Sequence, residues 1–559
     1  MKLRRSPREL RDRAWQEYRN LALLARPPGA SAKVATPSPL AIFPDPVGVA
    51  RDLRNGDFAR EVLETADQIL AHRFPLLGVT IDTGPQIAWR RDYLSGKETA
   101  CDYFRLVPYL DATRAGDHKL IWELNRHQHL VLLAQAFLFS EDGRYLEEIK
   151  RQLESWMLAN PFQRGINWAS ALEVAFRSLS WMWVYHFVGD RFEPLFRDRF
   201  LHVLELHGRH LEVNLSFYFS PNTHLLGEAV ALHALGVLFP EFARSGEWRD
   251  LGGRVVREQR EKQVRPDGAH FEQSTYYHVY ALDMFRFFEL LDGRSIHTQP
   301  LAEVLHALMG PARRLAFFGD DDGGRFFHPF GRRDEFGRAS LAACGIGSDD
   351  CDLHAMAAWW ITENQMEPRG WRSRLFADSG LALMSHGPVQ CVIDAGQFGP
   401  WGSGHSHSDT LSFTVRLADE DILIDSGTYT YVSDPVARDW FRGSAAHNTI
   451  RIDGRDQAIP AGPFRWTNQP AVRILEWRSD MQEDCLAAEC CYGGFTHKRT
   501  FVFRKPGRLL VTDEITGPVG EHLIEQFWHL GSEAARARLQ IDPTMECQPF
   551  TGLASTVLL

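Results

Sequence analysis

The stretch Gly402-Ser403-Gly404-His405-Ser406-His407-Ser408-Asp409, the Asp425 of LIDSGTYTY and the His447 of SAAHNTIRIDG carry the residue types of a metal centre built from two imidazoles and one carboxylate. Zinc takes neutral imidazole nitrogens and a carboxylate oxygen, and ligands drawn from adjacent strands converge without distorting a helix. Residues i and i+2 of a strand share a face, so His405 and His407 are expected to point the same way, one to a metal and the other to a substrate. A lone histidine is most often a satisfied polar group; four such residues set among Gly, Ser and Asn point to a site.

Two more polar clusters lie upstream. In SPNTHLLGEAVALHALG a helix begins after Ser220-Pro221, with Asn222 or Thr223 as its cap and His224 in its first turn. Such a terminus attracts anions through its free N–H groups and dipole. In RPDGAHFEQSTYYHVYALDMF, Asp267-Gly268 makes a turn, and Tyr276, Tyr277, His278 and Tyr280 crowd the start of the next helix. Tyrosines at helical spacing usually pack, but these coincide with Glu272 and Gln273.

The elements that must position these groups change character once, near residues 365–380. Before that, HQHLVLLAQAFLFS, ALEVAFRSLSWMWVYHFV, HLLGEAVALHALGVLF and YALDMFRFFELL have helical periodicity and are separated by turn residues. After Trp371, short alternating runs such as VQCVIDAG, TLSFTVRLA, NTIRIDG, KRTFVFRK and RLLVTDEIT predict strands in a sandwich. The expected organisation is a helical domain over 1–370 and a β-sandwich over 371–559, with TGLASTVLL leaving the sandwich incomplete or ending on an edge strand. At 559 residues and 44% hydrophobic content, two domains are the natural reading. The 16 Trp suit a sugar-binding cleft, while a net charge of -10 without a long basic run argues against nucleic acid. Eight scattered cysteines, two of them adjacent, read as reduced thiols. MKLRRSPRELRDRAWQEYRNLALLARPP lacks an apolar core before Pro27, and no segment approaches the ~20 apolar residues of a spanning helix. The expected location is cytoplasmic, or periplasmic if the start is mis-assigned, with no membrane partner.

At SPNTHLLGE, DGAHFEQSTYYH, GHSHSDTLSF with LIDSGTYTY, and RGSAAHNTIRIDG, supported by WELNRHQHL and GINWASALEVAFRS, the chain resembles the heparinase II/III-like polysaccharide lyases. The resemblance covers about residues 110–535. It implies an incomplete α/α toroid of helical hairpins followed by an antiparallel β-sandwich, with the cleft between them. It also implies β-elimination on a uronic-acid-containing polysaccharide. Asn222 and His224 match the segment that holds the substrate carboxylate, Tyr277 the catalytic tyrosine, and His405 a base or carboxylate neutraliser. Relatives have Asn directly before the histidine where this chain has Thr223, and Tyr277 is preferred to Tyr276 because a Tyr-His pair, here Tyr277-His278, belongs to the motif. Arg126, His127, Glu272, Tyr276 and Tyr429 are the expected substrate-binding residues. His407, Asp425 and His447 match residues that hold a largely structural zinc in some relatives, a metal favoured here over calcium. The implied partner is an acidic, lightly charged uronate polysaccharide, and a homodimer is compatible with it.

Three other readings compete. A zinc hydrolase lacks a nearby carboxylate base and leaves the Asn222 and Tyr277 clusters unused. A non-catalytic polysaccharide-binding or assembly protein would not require a tyrosine, a histidine and an amide together. A glycoside hydrolase would use paired carboxylates such as Glu173 and Glu228, which sit inside apolar helical runs where structural hydrogen bonding is expected. Gly319-Asp320-Asp321-Asp322-Gly323-Gly324-Arg325 lacks the bidentate Glu of an EF-hand loop and reads as a solvated turn rather than a calcium site. Arg177, Arg332 and Arg333 are further candidates to hold substrate carboxylates.

Overall fold

The structure, a computed structural model, describes residues 5–30, 36–312, 314–326, 335–347, 354–361, 367–400, 404–550 and 554–558. Helices dominate its first part: α1 (Pro7–Ala25), α2 (Pro46–Leu53), α3 (Asp57–Leu70), α4 (Ala112–Ala115), α5 (His118–Asn125), α6 (Gln128–Ser140), α7 (Gly143–Ala159), α8 (Ala171–Val188), α9 (Pro194–Asn214), α10 (Thr223–Leu238), α11 (Ser245–Gln263), α12 (Thr275–Asp292), α13 (Gln299–Met309) and α14 (Phe336–Ala343). α6, α8, α10 and α12 contact one another in succession, and each packs on the helix that follows it. The result is a partial ring of hairpins, an α/α toroid with α6, α8, α10 and α12 inside and α7, α9, α11 and α13 outside.

Sequence decides which helix lies in which ring. Every residue of α8 is buried, and α10 buries nearly all of its length, as helices apolar on all sides must. α7 buries one apolar stripe, Tyr145, Ile149, Leu153 and Trp156, at spacings of four, four and three, and its opposite face is mainly charged. The α10–α11 contact is unusually close because Gly236 and Gly252 face the opposing backbone. A Cβ on Gly236 would stand 2.4 Å from Arg249 N and Ser245 O, and one on Gly252 2.6 Å from Ala229 O.

The second part is built on two antiparallel sheets. One has five strands in sequence order, Arg374–Phe376, Leu381–His386, Val389–Asp394, Phe413–Leu417 and Glu420–Leu423; the other has four, Ala471–Ser479, Glu483–Tyr492, Phe495–Arg504 and Arg508–Thr516. They enclose a core that includes Met384, Ile393, Phe413, Leu486, Phe501 and Phe503. The five-stranded sheet serves two cores, because alternate residues go opposite ways. Ala382, Met384, Cys391 and Ile393 enter the sandwich, while Leu383 and Val392 join the toroid cluster. Polar ties run across the same junction: Gln390 Nε2 donates to Ala307 O (2.8 Å) and Arg416 Nη2 to Leu315 O (2.7 Å).

The predicted toroid-plus-sandwich architecture is therefore present, with local departures. A hairpin, Arg73–Leu76 with Val79–Asp82, interrupts the helical part, and a short helix, α15 (Pro435–Phe441), interrupts the strands. The final strand Ser555–Leu558 joins neither large sheet and instead runs parallel to Gly427–Tyr429. The described cysteines are free thiols.

Candidate active site

The inner helices run in one sense, so their N-termini open on one side of the toroid. There a cavity of about 670 Å³ is lined by Arg126, Ala171–Glu173, Asn222, His224 and Tyr277 from the helices and by His405, Tyr431, Phe464 and Arg465 from the sandwich part. Helix N-termini carry partial positive charge, so this convergence favours an anionic occupant in a chain that is acidic overall.

Asn222 is the N-cap of α10, its Oδ1 accepting from His224 N at 3.1 Å. Its Nδ2 donates to Glu272 Oε2 (2.8 Å), and Thr223 N donates to Glu272 Oε1 (3.1 Å), so a carboxylate already rests on this terminus. Glu272 is buried, which pushes its carboxyl upward. His224 lines the cavity, and burial together with the nearby His405 depresses it to about 4, leaving the imidazole neutral.

Tyr277 lies in the first turn of α12, whose cap Ser274 accepts from Tyr277 N at 3.2 Å. Its ring stacks on His405 with centroids 3.9 Å apart, and its hydroxyl is 3.1 Å from that of Tyr431. Burial first, then the charge of Asp322, holds the phenol well above its ordinary pKa, so it is protonated. Burial alone would depress His405, but the Asp320 hydrogen bond and the charge of Glu272 hold it above the usual histidine value. Its Nε2 stands 3.4 Å from Glu272 Oε2. Asp320 is the hub beneath: it accepts from His405 Nδ1 (3.0 Å), His407 Nε2 (2.9 Å) and both Nη atoms of Arg438, while Ser274 Oγ donates to its carbonyl at 2.6 Å.

His407 and His447 come together as predicted, but the third group beside them is Asp409; potential ligand atoms of these three lie within 4.8 Å of one another. Asp425 instead accepts from His447 Nδ1 at 2.7 Å, behind the ring. With Asp320 and Asp425 accepting from the opposite nitrogens, His407 Nδ1 and His447 Nε2 are left as buried atoms without a hydrogen-bond partner. Two orphaned imidazole nitrogens and a carboxylate fit a zinc ion. None of the three residues lines the cavity.

Segment 49–295 matches the family model described as Heparinase II/III N-terminus, and segment 368–551 the one described as Heparinase II/III-like, C-terminal. The chain belongs to the heparinase II/III-like family. It is 22% identical over 450 residues to a heparin-sulfate lyase of Bacteroides stercoris and 24% identical over 434 residues to one of Pedobacter heparinus, covering 72% and 73% of this chain. It spans 62% of the length of these two curated relatives. Among solved structures, Heparinase III superposes with a TM-score of 0.63 at 18% identity over 90% of this chain and 75% of that one. A heparan sulfate lyase of Pedobacter heparinus gives 0.51 at 22% identity, covering 91% of this chain and 74% of that one.

Within this heparinase-like cavity, Asn222, His224, Glu272, Tyr277 and His405 assemble as the sequence suggested, and Arg126 joins them at the wall, but the predicted substrate contacts His127, Tyr276 and Tyr429 do not. Arg126 reaches the wall, yet it is 1% exposed and held by Glu173 (2.6 and 2.9 Å) and Glu123 (3.0 Å). His127 is fully buried, its Nδ1 accepting from Trp181 Nε1. Tyr276 stacks on Phe336 in the toroid core, and Tyr429 on Phe441. Tyr431, two residues on, is the tyrosine that enters the cavity. The expected strand at His405–Asp409 is irregular chain, although both histidines do turn to one carboxylate. Segment 319–325 is no solvated turn: Asp320 is fully buried, and Asp322 pairs with Lys119 at 2.9 Å. Arg177 is buried against Trp156 and Trp168, away from the cavity. Arg332, Arg333, Gly402 and Ser403 lie outside the described residues. Glu173 is neutralised by Arg126, and Glu228, pushed to about 8 by burial, accepts from Ser216 and does not line the cavity, so the pair cannot serve as glycosidase carboxylates.

Proposed function

We propose that this chain is a polysaccharide lyase that cleaves a uronate-bearing glycosaminoglycan by β-elimination. The observation that carries the reading is the stacked Tyr277–His405 pair facing Asn222 and His224 across one anion-favouring cavity. Removing the weakly acidic C5 proton places charge on a carboxylate already negative, so a fixed positive group must meet it. His405, held charged by Asp320 and Glu272, supplies that group, and the Asn222 amide supplies a donor beside it. The neutral imidazole of His224 takes the C5 proton, the freed electron pair forms the C4–C5 double bond, and the C4–O4 bond breaks. The protonated phenol of Tyr277 gives its proton to O4. Transfer of a proton from His224 back to Tyr277 restores both.

Zinc held by His407, Asp409 and His447 would stabilise the sandwich loops, with Asp425 and Asp320 orienting the rings. Burial of all three residues away from the cavity supports a structural ion over a zinc hydrolase. Lys119 and Arg126 are engaged by Asp322, Glu123 and Glu173, which favours a lightly sulfated polymer over a densely sulfated one. The test is incubation with a panel of uronate polymers, following ultraviolet absorbance and product mass. An unsaturated uronate formed without uptake of water is expected; saturated, hydrated products would sink the lyase reading.

A further inference from the structure

Helix α1 precedes residue 49, where the family match begins, yet Arg13 and Gln16 on it line the same cavity as Tyr277 and His405. Its placement is fixed by buried polar groups. Asn20, fully buried, exchanges hydrogen bonds with Asn214 of α9 (2.8 and 2.9 Å) and accepts from Gln163 Nε2 at 3.0 Å. Gln16 Nε2 donates to Val213 O (3.0 Å), and Arg19 pairs with Glu212 at 2.6 Å. A one-turn slip would strand these buried donors and acceptors, so the register of α1 over α9 is specified.

Around this end of the cavity the chemistry differs from that of the reacting end. Arg13 and Arg105 stand here with side chains 33% and 38% exposed, each anchored by its Nε on an α1 carboxylate, Glu9 and Glu17. Tyr218 and Phe219 are 41% and 63% exposed, and the Tyr218 hydroxyl is tied to α1 through Asp12 at 2.6 Å. His210, fully buried, lines the same wall with its ring packed against Phe104 and Trp168. Partly exposed guanidinium groups and aromatic faces open to solvent together form a surface for a charged sugar ring. A cavity of about 670 Å³ also exceeds what one monosaccharide fills, being in the range of roughly 300–1,000 Å³ that encloses larger ligands.

We propose that α1 and the 215–221 loop form a second saccharide subsite, which binds an anionic sugar of the same chain beyond the reacting uronate and makes affinity depend on oligosaccharide length. The proposal rests on the lyase reading for the identity of the chain bound. The test uses unsulfated glucuronate oligosaccharides, from the disaccharide upward, with the full chain as wild type, Arg13→Ala, Arg13→Ala/Arg105→Ala and Tyr218→Ala. Trp15→Ala, on the outward face of α1, is the control. Loss of the guanidinium contacts is expected to raise KM about tenfold from the length at which the saccharide reaches α1, with the disaccharide unaffected and kcat within about twofold. Calorimetric affinities in a Tyr277→Phe background should show the same length dependence. An equal rise at every length, or none at any, overturns the subsite. Length-dependent binding without cleavage by the wild type would keep the subsite and overturn the lyase reading; neither binding nor cleavage would overturn both.

Discussion

Tyr276 and Tyr277 are adjacent in sequence and opposite in fate: one ring stacks on Phe336 in the core, and the other stacks on His405 in the cavity. Tyr277→Phe is expected to lower kcat by about 10²–10⁴-fold with KM within a few-fold, since in the proposed elimination the lost hydroxyl acts in the transition state. Tyr276→Phe should leave turnover within a few-fold, and steady-state kinetics on the two variants separates them. The imidazoles set the pH response. His224 is depressed to about 4, so the neutral form that the proposed reaction needs as base persists down to that pH and is lost below it. His405 is raised, so the charged form persists upward past the usual histidine value and is lost as pH climbs through the raised pKa. A bell-shaped kcat/KM profile with an acid limb near 4 follows; rising activity through the alkaline range would contradict the charged role of His405. Motif and residue type revealed these groups, but not Tyr431. Strand alternation would put residues 429 and 431 on one face, whereas Tyr429 has φ 65°, which breaks the alternation and sends the two rings apart.

At the scale of elements, α10 does two jobs with one residue. Asn222 caps the helix through Oδ1 and engages Glu272 through Nδ2, and the two can be separated by substitution. Asn222→Ser keeps a competent cap and removes the amide donor, so stability should stay near wild type while kcat falls; Asn222→Ala should lose the same activity and about 1 kcal/mol of stability. Denaturant melts paired with kinetics would show this, and full activity in the serine variant would remove Asn222 from the site. The four inner helices were legible from their long apolar helical runs, as in ALEVAFRSLSWMWVYHFV, whereas the striped outer helices such as GRYLEEIKRQLESWMLA were not singled out because their apolar stripe is narrower. Segment 319–325 was misread for an equally physical reason. Three aspartates between glycines resemble solvated chain, and only the distant partners Lys119, His405, His407 and Arg438 make burial of Asp320 and Asp322 tolerable. Asp409 was missed as the carboxylate beside His407 and His447 because a regular strand was assumed where the chain is irregular.

Across the whole molecule, one sheet lends alternate side chains to two cores: Leu383 and Val392 face the toroid, and Ala382, Met384, Cys391 and Ile393 the sandwich. Because that sheet joins both cores, toroid and sandwich are expected to unfold together. This coupling gives the metal group a reach beyond its own loops. His407 touches Asp320, whose carbonyl accepts from the cap of α12, so the neighbourhood of the proposed ion runs from the sandwich to the helix that carries Tyr277. Binding energy for the native state is also folding energy, amounting to about 4 kcal/mol when the free ion is a thousandfold above its dissociation constant. His407→Ala should therefore abolish bound zinc and move a single calorimetric transition down by several degrees, taking helical and sheet signals with it. Asp409→Asn should lose the ion likewise, whereas Asp425→Asn, which acts through His447, should weaken metal binding by about 10–100-fold without abolishing it. His405→Ala should retain the metal and most of the stability, losing only the share its Asp320 contact contributes, and lose activity. Elemental analysis and scanning calorimetry on the four variants decide the matter. Two resolved transitions, with only the sheet component shifted in His407→Ala, would show that the shared sheet does not couple the halves.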